Sequence, residues 1–495
     1  MNSSFNSKLI SATKWSSLTE IVAKLVTPIT SMILARVLAP EIFGIVASVN
    51  VVISFCDLFT DAGFQKYIIQ HETGDNDSID RYANVAFWTN LFISFLMWGI
   101  ITAFAETIAS LVGCPGKKMA IIIACANLPL TSFSSIQIAL LKREMNFKPL
   151  FFSRIATIFA PIFVTLPLGL ITRSYWAIIV GTIASNLVTV VTMLLLLQWR
   201  PKFQYSFSLL KNMLSFSIWS LLESVLVWII NWGDVFIVGS ILSSYYLGLY
   251  KTSMSLINQV FAIVSASMVP VLLTALSRLQ SNDVEFRKVY YRFSFYSGLI
   301  LIPMGVGLFI FRDTVCLIGL GPDWIEASTL IGTWGLVSSF AILFNSYNGD
   351  VLIAKGKPKV SVIIQIIQII AIVPVVYYGA KKGFGDLSYA RALVRVVGMI
   401  AYCFTVRIVA GISTRKVISE LIPSIVATAV MGMFGFWFVS LQCDWWINIL
   451  GIFVCMLMYA VVAMMFPSIR SIAYDFYYKL RHKVKVDCII NLNKK

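Results

Sequence analysis

The sequence contains little charge for its length. Asp, Glu, Lys and Arg make up 13% of its 495 residues, about half of the roughly 25% that soluble proteins carry. Hydrophobic residues make up 58%, and the mean hydropathy is +0.84. This composition excludes an ordinary soluble domain and predicts a polytopic membrane protein.

The sequence also lacks the residue patterns of most enzymes. It contains only 2 histidines, which excludes a histidine-rich metal site, and its 8 cysteines are scattered without CxxC or zinc spacing. No GxxxxGK[ST] nucleotide loop, GxSxG or HExxH occurs. We therefore expect no cofactor, no bound metal and no catalytic residues, and transport is a better interpretation than an enzyme.

Basic residues give the predicted orientation. The net charge of +16 would suggest nucleic acid as the partner of a soluble protein, but basic cytoplasmic loops explain it better here. With the N-terminus placed inside the cell, most Lys and Arg outside the apolar stretches fall on the cytoplasmic side. The sequence thus predicts cytoplasmic termini, no nucleic-acid partner, and short outer loops without room for an extracellular domain.

The apolar stretches predict an all-α protein with about 14 transmembrane helices. The predicted division is a cytoplasmic N-terminus at 1–14, a first six-helix bundle at 15–198, a cytoplasmic linker at 199–212, a second six-helix bundle at 213–410, two additional helices at 411–466 and a basic cytoplasmic tail at 467–495. Within the tail, residues 475–481 form either an interfacial helix held by anionic lipids or part of a disordered segment.

An internal repeat relates the two predicted bundles. A shift of 204 residues places Trp15 on Trp219 and Gly44 on Gly248, and each glycine follows the turn of a long apolar hairpin. An even number of spans separates the copies, which predicts parallel repeats related by an axis along the membrane normal. Transporters are often built from such repeats, with the substrate site at the repeat interface.

Six short motifs occur in a characteristic order. They are Ala35-Arg36 through Pro40 to Gly44, Asp57 through Asp61-Ala62-Gly63-Phe64, Leu141 to Lys148, Trp232 to Gly239 followed by Leu247-Gly248-Leu249-Tyr250, Gly319 to Trp324, and Asn348 to Pro358. Together they resemble the motifs of bacterial polysaccharide and O-antigen flippases. These proteins form a family of the multidrug/oligosaccharidyl-lipid/polysaccharide exporter superfamily.

The resemblance implies a flippase of two bundles in the bacterial inner membrane. Such a protein would move a polyprenyl-diphosphate-linked oligosaccharide by alternating access during O-antigen, capsule or exopolysaccharide synthesis, near polysaccharide polymerases and glycosyltransferases. Three alternatives stay open: a multidrug or cation antiporter of the same superfamily, a lipid II flippase, and a membrane polysaccharide polymerase. Basic residues at depth disfavour the antiporter, and short outer loops disfavour the polymerase.

Charged residues inside the predicted spans are the candidate site residues, because a charge at bilayer depth usually faces a bundle interior or a wet cavity. Arginine suits a diphosphate, since its planar guanidinium binds phosphate oxygens bidentately. The cavity candidates for the cargo are Lys24, Arg154, Lys251, Arg391 and Arg395. The candidates for ion pairing or coupling are Glu20, Asp57, Glu223 and Asp234.

Two pairs of these candidates have a predicted geometry. Glu20 and Lys24 are four residues apart on one helix face, so mutual pairing competes with a cavity role. Arg391 and Arg395 are also four apart, and no acidic residue lies within the same span apart from Asp386 at its outer edge. The two arginines either line water and bind an anion, or lie at the outer head groups.

Overall fold

The computed structural model describes residues 3–61, 63–70, 79–441 and 444–471, and these residues are almost entirely helical. The first ten helices are α1 Ser3–Val37, α2 Pro40–Asp61, α3 Phe64–Gln70, α4 Ile79–Ala103, α5 Ala105–Leu111, α6 Lys118–Ala124, α7 Asn127–Arg143, α8 Phe147–Phe163, α9 Thr165–Thr172 and α10 Trp176–Leu196. The next ten are α11 Phe207–Ile241, α12 Ser244–Arg278, α13 Asp283–Ile310, α14 Arg312–Gly319, α15 Ser328–Ala341, α16 Tyr347–Ala354, α17 Pro358–Lys382, α18 Phe384–Ala410, α19 Thr414–Ser440 and α20 Trp445–Met464. A 3₁₀ segment, Pro322–Ala327, precedes α15, and a π-helical segment, Ile342–Ser346, joins α15 to α16.

The described residues contain 13 helices that are long and apolar enough to cross a membrane. A further pair of segments, Ser244–Ser265 and Met268–Arg278, is bent by 48° and would make a fourteenth span. Helices satisfy every backbone hydrogen bond internally, which is what a chain in hydrocarbon requires. The predicted all-α, roughly fourteen-span fold is therefore confirmed.

The chain divides into two compact units. The first contains Met1–Ile263, Ile318–Leu330 and Val362–Val394, and the second contains Val264–Leu317, Ile331–Ser361 and Arg395–Lys495. The predicted bundle boundaries and the predicted orientation stay predictions. The segment 475–481 of the basic tail lies outside the described residues.

The first unit contains the first hairpin of the sequence repeat and the second hairpin up to Ile263, and the two hairpins pack against each other at their turns. A Cβ added to Gly44 would lie 1.8 Å from the carbonyl oxygen of Ser244, and one added to Gly248 would lie 1.9 Å from that of Pro40. Ser244 is the repeat counterpart of Pro40, so the two contacts are equivalent. The backbones of the two turns thus approach closely at these glycines, and no larger residue fits there.

Two of the sequence motifs contact each other in the same unit. The indole Nε1 of Trp324 donates to the carbonyl oxygen of Ala35 at 2.8 Å, and Trp324 is fully buried. Arg36 Nη2 donates to the carbonyl oxygen of Ile318 at 2.7 Å. The motif at the end of α1 therefore holds the segment before α15 in place. The sequence of either motif alone does not indicate this structural role.

The second unit is built around α13, α19 and α20. A Cβ added to Gly298 would lie 2.2 Å from Leu421 Cδ2, so α13 and α19 approach closely at this glycine. The hydroxyl of Ser424 donates to the carbonyl oxygen of Gly298 at 2.9 Å, and Tyr459 on α20 donates to that of Leu299 at 2.7 Å. Small residues and hydroxyl groups thus hold these helices together, as is usual in membranes.

Candidate functional site

A buried carboxylate lies at the centre of the candidate site. Asp234, on α11, is completely inaccessible to solvent. Its Oδ2 accepts a hydrogen bond from the hydroxyl of Tyr250 on α12 at 2.8 Å. Burying a charge is unfavourable unless it is paired and hydrogen-bonded, so the partners of this carboxylate determine whether α11 and α12 can pack here.

The main partner of Asp234 comes from a distant part of the chain. Arg391 on α18 is 157 residues away in sequence, and its Nε donates to Asp234 Oδ2 at 3.0 Å and to the Tyr250 hydroxyl at 3.1 Å. Arg391 is itself only 5% exposed. The three side chains form a network in which the arginine neutralises the carboxylate and the tyrosine hydrogen-bonds to both.

A second cation, Lys251, lies next to this network. The ammonium of Lys251 on α12 lies 3.8 Å from Asp234 Oδ1, donates to the carbonyl oxygen of Asn231 at 2.9 Å, and sits 4.4 Å from the centroid of the Trp232 ring. Two cations therefore face one carboxylate, which leaves one positive charge in excess. The side chain of Lys251 is 17% exposed, more than that of Arg391.

That excess charge borders a cavity of about 210 Å³ within the first unit. Lys251 and Trp232 lie on one wall, and Ser31, Phe43 and Asn50 from the first hairpin lie on the other. This volume is below the roughly 300–1,000 Å³ of typical ligand pockets. It suits a small polar group rather than a whole oligosaccharide.

The cavity also contains hydrogen-bonding groups along α12. Gln259 Nε2 donates to the Ser255 hydroxyl at 3.0 Å. The buried amide oxygen Gln259 Oε1 has no hydrogen-bond partner among the described residues. Lys251, Ser255 and Gln259 follow one another at intervals of four and thus share one helix face. This face offers a cation, a hydroxyl and an open acceptor to whatever enters the cavity.

Three of the predicted site residues lie together in this network, namely Asp234, Lys251 and Arg391. Arg395, although one turn from Arg391, belongs to the second unit, where its Nη1 donates to the Ser338 hydroxyl at 2.6 Å and its guanidinium stacks 3.7 Å from the centroid of Trp334. The idea that the two arginines together bind one anion therefore requires correction. Arg391 already has a carboxylate partner, which α11 rather than its own span supplies.

The remaining predicted residues lie elsewhere. Glu20 and Lys24 form an ion pair with each other at 3.5 Å, and Glu20 is exposed. Arg154, on α8, is exposed and does not line the cavity. Asp57 accepts a hydrogen bond from Thr131 at 3.2 Å. The side chain of Glu223 lies outside the described residues.

Sequence reasoning missed Tyr250, Ser255 and Gln259 as site residues. A signal for each was present. Tyr250 closes the Leu247–Tyr250 motif, and the polar residues 251, 255 and 259 recur at helical spacing on α12. A search for polar residues on one helix face, rather than for charges alone, would have found the α12 stripe.

Comparison with known proteins identifies the family of the chain. The family described as "Polysaccharide biosynthesis protein" matches residues 33–329, more than half of the chain. The chain belongs to this family. The resemblance inferred from the six motifs is confirmed, and the chain is a multi-pass membrane protein.

Two curated relatives extend the match over most of the chain. An "Uncharacterized membrane protein in cps region" of Klebsiella pneumoniae is 24% identical over 82% of this chain and 83% of its own length. The "Succinoglycan biosynthesis transport protein ExoT" of Rhizobium meliloti is 22% identical, again over 82% of this chain and 83% of its own length. The second is named as a transport protein, not as an enzyme.

A solved structure supports the fold. The "Lipid II flippase MurJ, inward closed conformation" superposes with a TM-score of 0.72 at 12% sequence identity and covers 91% of this chain and 98% of its own. At this identity the likeness concerns the fold alone. The MurJ-like fold agrees with the architecture that the motifs implied.

Proposed function

We propose that this protein is a flippase that moves a polyprenyl-diphosphate-linked oligosaccharide across the bacterial inner membrane by alternating access. The family membership supports a role in polysaccharide biosynthesis, and the name of the Rhizobium relative supports transport. Polysaccharide polymerases and glycosyltransferases are the proposed partners, because they would use or supply such a cargo.

The observation that carries this proposal is the position of Lys251. Its ammonium borders the cavity, while the neighbouring carboxylate of Asp234 is already neutralised by Arg391. The cavity wall is thus net positive and attracts an anion. A cation antiporter would need the opposite sign, so this charge balance favours a phosphate-bearing cargo.

The residues around Lys251 match the other parts of such a cargo. The Trp232 ring offers an apolar face, and Ser255 and Gln259 offer partners for sugar hydroxyl groups. An ammonium is a point charge that lacks the bidentate geometry of arginine. Lysine therefore attracts a phosphate without holding it in one fixed geometry, which suits a transporter that must also release its cargo.

The test is to change Lys251 and follow glycan export in cells that lack the chromosomal copy. Lys251→Gln removes the excess charge, and we expect export to fall more than tenfold at an unchanged protein level. Lys251→Arg keeps the charge and should retain part of the activity. Lys24→Gln is the matched control, since Lys24 is paired with Glu20, and it should change export less than twofold.

Two outcomes would contradict the proposal. Normal export by the Lys251→Gln variant would mean that the cavity charge does not bind the cargo. Equal losses in the Lys24 and Lys251 variants would mean that any lost cation impairs the protein.

A further inference from the structure

A second and larger cavity lies in the second unit and shares no lining residue with the candidate site. It has a volume of about 770 Å³ and is formed by the start of α13, the start of α19 and the segment after α20. Four cations line it, Arg287, Lys288, Arg292 and Lys416, against one carboxylate, Glu420. This concentration of positive charge needs an explanation.

The cations of this cavity are largely uncompensated. Lys288 pairs with Glu285 at 3.4 Å. Within the described part of the chain, Arg287, Arg292 and Lys416 form no ion pair with a carboxylate. Like charges gathered in one cavity repel one another, so an anion in the cavity or at its mouth would stabilise the arrangement.

Aromatic side chains hold the cations in place. The Lys416 ammonium lies 4.9 Å from the centroid of Tyr291, and Arg292 donates to the hydroxyl of Tyr296 at 3.3 Å. Tyr291 is 7% exposed, and its hydroxyl accepts a hydrogen bond from the backbone N–H of Ser413 at 2.9 Å. A buried, hydrogen-bonded ring thus positions Lys416, and the site is built rather than a chance cluster of flexible lysines.

Gly411 keeps one wall of the cavity open. Its φ is +65°, a conformation that disfavours side chains, and a Cβ there would lie 3.0 Å from Arg287 Nη1. The guanidinium of Arg287 therefore lies against bare backbone. Its remaining N–H groups are available for the planar, bidentate contacts that phosphate oxygens make.

An apolar surface adjoins the cavity. The outer faces of α19 and α20 expose a row of large hydrophobic side chains that includes Ile418, Ile422 and Val461. Such faces contact acyl chains in a bilayer. In the predicted orientation, these ends of α13 and α19 lie on the cytoplasmic side, where basic pockets between helices bind anionic head groups.

From these contacts we infer that the cavity at Arg287 and Lys416 is a binding site for the phosphate head group of an anionic phospholipid. The cations contact the phosphodiester, and the acyl chains lie along the exposed face of α19. The lipid would bridge α13, α19 and the segment after α20. This inference does not depend on the cargo proposed above.

The test uses the purified full-length protein in detergent and native mass spectrometry with added phosphatidylglycerol or zwitterionic phosphatidylethanolamine. A basic residue close to a bound anionic lipid head group contributes about fivefold in affinity for that lipid. Arg287→Gln/Lys416→Gln should therefore weaken phosphatidylglycerol binding about 25-fold, and Lys416→Gln alone about fivefold. Lys416 is exposed, so the single variant tests the site without disturbing the fold.

Arg278→Gln/Arg415→Gln is the matched control, because both arginines are exposed and neither lines the cavity. It should change phosphatidylglycerol binding less than twofold, and phosphatidylethanolamine binding should not respond to either double variant. Equal weakening by the two double variants would overturn the inference in favour of diffuse surface charge. It would also be overturned if millimolar inorganic phosphate displaced the lipid.

Discussion

The two hairpins of the repeat have the same shape and different chemistry. α1 and α11 are each 35 residues long, each ends at a short turn, and each is followed by a helix whose fifth residue is the packing glycine, Gly44 or Gly248. The second hairpin carries Asp234 and Lys251. The repeat shift places Thr30 and Ala47 at those positions in the first hairpin.

The difference shows which part of the repeat is structural. Thr30 is buried, and its hydroxyl donates to the carbonyl oxygen of Val26 at 3.0 Å within its own helix. It therefore needs no partner from elsewhere. Asp234 cannot be satisfied locally and requires Tyr250 and Arg391. Both hairpins therefore share the packing glycine, whereas only the second hairpin carries the buried carboxylate Asp234 and the neighbouring Lys251.

The largest effect is expected for Asp234→Asn. This change leaves the buried Arg391 without a carboxylate partner and next to Lys251, and an uncompensated buried charge costs about 3–5 kcal/mol. Thermal unfolding in detergent should show this loss of stability. Arg391→Gln should be less severe, because Lys251 remains 3.8 Å from the carboxylate.

The equivalent position in the first hairpin, Thr30, provides the control for that prediction. Thr30→Val at the equivalent position of the first hairpin should cost about 1 kcal/mol, the value of one ordinary hydrogen bond. Equal costs at Thr30 and Asp234 would mean that the ionic network contributes nothing specific. The double variant Asp234→Asn/Arg391→Gln should recover part of the loss, as coupled residues do.

An intermediate effect is expected at the glycines, where the hairpins are alike. Gly44→Leu and Gly248→Leu each insert a side chain against a backbone carbonyl, and such overpacking typically costs about 1–3 kcal/mol. We expect each variant to insert in the membrane, measured by immunoblot, and to lose glycan export. The losses should be similar, because the two contacts are equivalent.

Gly99→Leu on α4 is the matched control for the glycines. A Cβ added to Gly99 would meet no atom within 4 Å, so export should be normal. If the Gly44→Leu/Gly248→Leu double variant exports glycan normally, the packing of the two turns has no role in transport.

The smallest effect is expected for the Glu20–Lys24 pair in the first hairpin. Its side chains are 64% and 24% exposed, and a pair at this spacing on a helix contributes about 0.3–0.5 kcal/mol. Glu20→Gln should therefore shift the thermal unfolding midpoint only slightly. A loss as large as that of Asp234→Asn would indicate that this pair, too, holds a buried network together.

The sequence by itself determined the helices, the membrane class and the family. A run of about 20 apolar residues in hydrocarbon satisfies its backbone hydrogen bonds internally when it forms a helix. This constraint is local, so the sequence alone predicts the helices. The packing glycines were also predictable, since Gly44 and Gly248 follow equivalent turns in a register that the sequence displays. Polar residues at intervals of four on α12 were visible as well, although a search for charges alone overlooked them.

Only the tertiary structure decided which charges meet. Arg391 and Arg395 share a helix face, yet one contacts Asp234 and the other Ser338 and Trp334. The carboxylate partner of Arg391 lies on another helix, 157 residues away, so no inspection of a single span could find it. Ion pairing depends on distances of a few ångströms between helices, and those distances are set by how the helices pack, not by the order of residues along any one of them.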